Sequence, residues 1–312
     1  LELRPDYTAH GRIAYLYALT EDFAGAIEWC GRLIADAPSP GLKGLGNVYQ
    51  SFYDLWVSRY EDMDRSLTAA RSVFERTGST LGSSGTWWLQ AWERYRQGNY
   101  DASRRCIAES GSIMAEKHLL DAWYRFETGV LLGLMEIRES QINDARARLE
   151  DLTAERVLIE EAYPDRTSMA KNDALLLEGE ILLAEGRIDA CIDVCKKLPV
   201  LEIPSMMSTD ILFFNLPMER DVLGRAYTAK GALDEAIAEY ERLTTYDASS
   251  VDRRLVFPLF HYRLGRLYER KGRMDEAAGE YRKFVSVLGP GAANVEQAAD
   301  AEHRLALLSA AN

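Results

Sequence analysis

The chain is poor in several features, and each shortage excludes something. Only four of its 312 residues are cysteine, at Cys30, Cys106, Cys191 and Cys195, too few to staple a fold of this length. Cys191 and Cys195 stand four apart on one expected helix, a poor geometry for a disulfide. All four read as buried core thiols, and unpaired thiols point to a reducing, cytoplasmic compartment. No run of about 18 apolar residues is present, which excludes a transmembrane helix, and the first residues lack the basic-then-apolar order of a signal peptide. Strict two-residue alternation is scarce, which argues against a sheet. The four histidines, His10, His118, His261 and His303, form no ligand-spaced cluster. No GxSxG, HExxH or phosphate-loop motif occurs, and no two carboxylates are placed to cooperate as acid and base. No catalytic residue, metal site or cofactor is therefore expected.

Cationic excess is also missing. The net charge is −12, which argues against nonspecific nucleic-acid binding. The charge is uneven: residues 119–218 hold 19 acidic and 10 basic side chains, whereas residues 219–283 hold 12 and 13. The acidic middle reads first as solvated helix surface and, alternatively, as a groove for a basic partner.

Small and aromatic residues at fixed helical spacing are plentiful. In RLGRLYERKGRMDEAAGEYRKFVSVL, residues 263–288, Gly265, Tyr268, Gly272, Ala277, Tyr281 and Phe284 fall at offsets 0, 3, 7, 12, 16 and 19. Gly265 and Tyr268 share a helix face, and Gly272 ends that helix in a left-handed cap. Asp275 and Glu276 suit the N-terminal end of the next helix dipole, on which Ala277, Tyr281 and Phe284 share a face. The same offsets recur at Gly224, Tyr227, Gly231, Ala236, Tyr240 and Leu243. Such a hairpin cannot bury its apolar face alone and must stack on neighbours.

These residues resemble those of the tetratricopeptide repeat. The resemblance implies an all-α, right-handed superhelical solenoid of antiparallel helix hairpins. Seven units are expected, at about 8–38, 41–76, 85–112, 121–158, 171–198, 217–246 and 258–288. An apolar insertion, PVLEIPSMMSTDILFFNLP, fills 199–217, and an amphipathic capping helix spans 295–308. Residues 219–308 also resemble the C-terminal repeat arrays of large bacterial signalling proteins that carry kinase, cyclase or transcription-regulator domains. LELRPDY reads as the end of a repeat, so the chain is expected to be a fragment of a longer protein.

The earlier units are looser. Ala14 anchors the first unit, Gly46 and Tyr49 the second, and Gly129 the fourth, whose turn is then four residues longer than in the best copy. Thr77 to Thr86, TGSTLGSSGT, reads as a loop between units.

In arrays of this family the first helix of each unit lines the concave face. Aligned on the anchors, Trp88, Trp92, Tyr95, Trp123 and Phe126 point there, with Leu176 and Glu180, Asp221 and Arg225, and Tyr262 and Arg266 further along. Large aromatics in a concave site anchor peptides or small molecules; packed between wide repeats, the same rings are core. Arg225 and Arg266 can clamp a carboxylate or pair with Asp221 and Glu269. The resulting expectation is a non-catalytic interaction scaffold that binds a protein or peptide segment, with no membrane insertion. A small-molecule sensor and an oligomerisation arm are the alternatives.

Overall fold

Two residues before each second helix of a hairpin, the backbone turns left-handed. The positions are Glu21, Ser58, Gly98, Ser140, Gly186, Gly231 and Gly272, with φ between 60° and 80°. Glycine adopts this region at no steric cost, whereas serine and glutamate do not. The computed structural model describes residues 7–119, 121–202 and 210–310. Among them are sixteen α-helices and no strand.

Seven hairpins follow in order. They are α1 (Tyr7–Leu19) with α2 (Phe23–Asp36), α3 (Pro40–Trp56) with α4 (Tyr60–Thr77), and α5 (Thr80–Arg96) with α6 (Tyr100–Glu116). Next come α7 (Ala122–Arg138) with α8 (Ile142–Ala162), and α9 (Thr167–Ala184) with α10 (Ile188–Cys195). After the short α11 (Asp210–Asn215) come α12 (Val222–Lys230) with α13 (Leu233–Thr244), and α14 (Leu259–Arg270) with α15 (Met274–Leu288); α16 (Glu296–Ala310) ends the described chain.

The chain divides into two compact units. One holds α1–α6 and, from Arg254 onward, α14–α16; the other holds α7–α10, α12 and α13, and the boundary passes through α11. In the first unit α1, α3 and α5 lie side by side, as α7, α9 and α12 do in the second. Stacking buries in each hairpin the apolar face that one hairpin leaves open.

Paired helices approach closely where a glycine faces a ring. A Cβ added at Gly265 would fall 2.7 Å from the ring of Tyr281, and one at Gly224 would fall 2.8 Å from Tyr240. Both tyrosines are fully buried. The insertion contributes α11, with Ile211, Leu212 and Phe214 buried, while residues 203–209 of it lie outside the described ones. Helix α16 packs on the last hairpin and buries Ala298 and Ala301.

Three local expectations are corrected. The stretch Thr77 to Thr86 is mostly helix, because Ser79 caps α5 by accepting from the Gly82 amide. Its small residues serve close packing. A Cβ at Gly82 would lie 2.5 Å from Phe74, and the Ser84 and Ser110 hydroxyls meet at 2.8 Å in a buried contact. The fourth unit has no lengthened turn: α7 ends at Arg138 and α8 begins at Ile142, as α14 ends at Arg270 and α15 begins at Met274. Counting back 12 from buried Ala145 gives Gly133 as the equivalent of Gly265, one turn beyond Gly129. Helix α7 uses both glycines, Gly129 against Leu152 of α8 and Gly133 against Leu177 of α9. In the second unit the same count leads from Met63, Leu67 and Ala70, all buried, to Ser51 rather than Gly46.

A methyl at Gly265 must displace a buried ring, whereas exposed Gly279, mid-helix in α15, has nothing within 4 Å of an added Cβ. Gly265→Ala is therefore expected to cost about 1–3 kcal/mol, and Gly279→Ala to gain about 0.5–1 kcal/mol. Urea unfolding of the two variants checks this, and shifts of the same sign would refute it.

Candidate binding site

Helix α5 places Trp88, Trp92 and Tyr95 on one face by its 4- and 3-residue spacing. The rings meet edge-on, Trp88 to Trp92 at 6.0 Å and Trp92 to Tyr95 at 5.8 Å between centroids. All three side chains are buried. The Trp92 indole Nε1 has no acceptor among the described residues. A buried donor without a partner costs about 1–3 kcal/mol, so such donors are rare.

A third tryptophan of this unit, unremarked in the sequence, shows what an indole here can hold. Trp56, the last residue of α3, donates from Nε1 to the main-chain oxygen of Val256 at 2.8 Å. Val256 lies in the non-helical segment 252–257 that leads into α14. Phe257 meets the Trp56 ring edge-on at 5.8 Å, and the Arg96 guanidinium stands 4.8 Å from the Phe257 ring. Leu255, Val256 and Phe257 are buried. An apolar peptide segment is thus gripped through one carbonyl and one ring by the C-terminal ends of two first helices, α3 and α5.

The second unit contains Trp123 and Phe126, with rings stacked at 6.3 Å. By the corrected register, the equivalents of Trp88 and Trp92 on α7 are Val130 and Leu134, so Trp123 and Phe126 lie nearer the helix start. Phe213 closes edge-on over Trp123 at 5.8 Å, and the Arg166 guanidinium stands 4.8 Å from the Trp123 ring. Both predicted aromatics are buried, and the Trp123 Nε1 has no acceptor among the described residues. One turn on, buried Glu127 has its pKa pushed up by burial and then by the charge of Asp173.

Leu176 is buried in the core cluster around Cys191 and Cys195, whose sulfurs lie 4.0 Å apart. Glu180, Asp221 and Arg225 form one knot. Arg225 Nη1 donates to Glu180 at 3.0 Å and Nε to Asp221 at 3.1 Å, while the Tyr240 hydroxyl donates to the other Asp221 oxygen at 2.7 Å. Burial works against the charge of Arg225, but the Glu180 and Asp221 carboxylates outweigh it and hold its pKa above the ordinary value. Arg225 thus pairs with Asp221, and with Glu180 as well.

Tyr262 and Arg266 belong to the first unit. The Tyr262 hydroxyl donates to Asp300 of α16 at 2.7 Å and accepts from Arg266 at 3.1 Å. Arg266 also lies 3.8 Å from Glu269 and 3.7 Å from Asp300. It is the most exposed of the predicted site residues.

Among the described residues no group of three or more His, Cys, Asp or Glu side chains could hold a metal ion. No helix is long and apolar enough to cross a membrane. Residues 222–293, which span α12–α13 and α14–α15, match the family model described as tetratricopeptide repeat. Those two hairpins are of the tetratricopeptide type. No curated protein sequence matches it. Among solved structures it is similar to a tetratricopeptide repeat protein from Parabacteroides merdae, at 13% identity and a TM-score of 0.48 over 97% of this chain and 98% of that one. It is also similar to the Cut9–Hcn1 hetero-tetramer of APC/C, at 12% identity and a TM-score of 0.26 over 98% of this chain and 80% of that one.

In a repeat array the ionic knot on α12 should behave as structure. Removing one member of a buried ion pair costs about 3–5 kcal/mol, because the other charge stays buried and unpaired. Arg225→Ala is expected to lose that much in denaturant unfolding, and a loss below about 1 kcal/mol would show the knot to be dispensable.

Proposed function

We propose that this repeat array is a non-catalytic scaffold whose first helices bind a non-helical segment of a protein partner. The observation that supports it is the grip of Trp56 on the Val256 carbonyl. The chain there holds one of its own peptide segments with the groups a partner peptide would use. Trp92 in one unit and Trp123 in the other carry the same donor, buried and without an acceptor among the described residues. A partner carbonyl reaching either indole would offset the cost of the buried N–H. Trp123 becomes accessible when Phe213 moves off its ring. Arg266 and Tyr262, nearer to solvent, would meet polar groups of the bound segment.

The test is selection of a random linear peptide library on the full chain. Enriched peptides that compete with one another are expected to lose about tenfold affinity on Trp92→Phe or Trp123→Phe. One lost hydrogen bond, at about 1.4 kcal/mol, corresponds to that factor. Helicity should hold in both variants. Failure to enrich any peptide, or binding indifferent to both substitutions, would overturn the reading.

A further inference from the structure

Glu21 stands where four of the six other hairpins carry glycine and two carry serine. A glutamate in the left-handed region costs about 1 kcal/mol relative to glycine. Its carboxylate has a use that offsets this cost. Glu21 Oε2 lies 2.7 Å from His261 Nε2, and Glu280 Oε2 lies 2.6 Å from His261 Nδ1. The contact joins the α1–α2 turn to the α14–α15 hairpin across 240 residues of chain, within one compact unit.

The hydrogen-bond geometry favours one state of the ring. A neutral imidazole has one donor nitrogen and one acceptor, whereas an imidazolium has two donors. Both ring nitrogens here face carboxylate oxygens, so with both carboxylates ionised only the imidazolium satisfies both contacts. His261 and Glu21 are both buried, and the third group at the site, Lys283, reaches Glu21 at 2.9 Å from a half-exposed position. Lys283 alone is a weak tie, because exposed ion pairs contribute little. Nearby, the segment after α15 touches the turn between α3 and α4. A Cβ at Gly291 would lie 2.2 Å from the Val57 carbonyl oxygen. A cleft of about 310 Å³ opens alongside, lined by Glu21, Phe23, Ile27, Arg59 and Lys283 among others.

We propose that this contact is a proton-gated clasp, in which the His261 imidazolium holds the α1–α2 turn on the α14–α15 hairpin and its deprotonation releases the turn. The groups facing His261 are Glu21 from the turn and Glu280 from α15, with Lys283 behind Glu21. Burial opposes the charge on His261, but its hydrogen bonds to Glu21 and Glu280 outweigh burial and raise its pKa above 6.5. A raised histidine value contributes stability in full below pH 6.5 and loses it as pH rises through the folded value. Glu21 has the opposite sign. Burial pushes its pKa up, but the bonds to His261 and Lys283 hold it below 4.5, so its contribution is present above pH 4.5 and lost on acidification. The clasp is tightest between these limits.

Global melting is a poor probe, because Asp54 and Glu93, each pushed up to about 7 chiefly by burial, titrate in the same window. Local hydrogen exchange of the full chain reads the clasp directly, once corrected for the intrinsic base-catalysed rate. The opening constant of the α1–α2 turn is expected to rise above pH 6.5 by up to about tenfold per pH unit, the limit for one proton. Glu21→Gly, which relieves the backbone while deleting the carboxylate, should abolish that rise. A flat wild-type profile, or the same rise in Glu21→Gly, would overturn the clasp. Nitrogen NMR of the imidazoles gives a second readout. The His261 ring should keep its second proton to a higher pH in the wild type than in Glu21→Gly. Loss of that proton at the same pH in both proteins would also overturn it.

Discussion

The left-handed residue between paired helices is the constraint on which the rest of this structure depends. It reverses the chain within two or three residues, so the two helices of a hairpin cannot splay. That reversal fixes which residue of the second helix meets which residue of the first. The small residue at the anchor and the ring 16 positions later then fall opposite one another, as Gly265 and Tyr281 do, where an added Cβ would lie 2.7 Å from the ring. Close approach follows from the turn, and burial of the ring follows from close approach. Where the turn residue is not glycine, the backbone carries a cost that some other contact must offset. Glu21 meets this condition with a carboxylate that reaches another part of the fold.

How much of this was legible in the sequence follows from how local each feature is. Turn, anchor and ring lie within about 20 residues, so the hairpins at 222–244 and 259–288 could be read from spacing alone. The fourth unit misled because α7 carries two glycines one turn apart, and both pack against neighbours. Only the fixed turn length separates them. Thr77 to Thr86 looked like a loop because serine and glycine favour loops; packed against Phe74 and Ser110, the same residues let helices approach. The predicted site was legible as residue types but not as burial. Whether Trp92 lines a groove or fills a core depends on what covers it, and that cover comes from elsewhere in the chain. The contact of Glu21 with His261 spans 240 residues, and no local period encodes it. Its one visible trace was a glutamate at a position otherwise held by glycine or serine.

The two arrangements that depend on distant segments share a logic. Segment 252–257 is held by Trp56 through a backbone carbonyl, and the α1–α2 turn is held by His261 through a carboxylate. Both place a directional, buried hydrogen bond at the point where sequence-distant parts of one unit meet. Apolar contact alone is non-directional and would leave the register of such a contact loose. A buried polar contact specifies one arrangement, because any slip leaves a donor or acceptor unsatisfied at about 1–3 kcal/mol.

The first helices carry an unusual load of buried ionisable groups, including Asp54, Glu93, Glu127, Asp173, Glu180 and His261. Burying a charge is favourable only when partners are complete. Glu180 meets that condition through Arg225, and His261 through its two carboxylates. Asp54 and Glu93 do not: neither oxygen of Asp54, and only one of Glu93, makes a hydrogen bond among the described residues. Burial accordingly pushes both pKa values up to about 7. Fully partnered groups make the fold specific, whereas incompletely partnered ones make its stability respond to protons near neutrality. Both kinds sit on the first helices, so the helices read in sequence as carrying the binding face also carry the groups that respond to protons near neutrality.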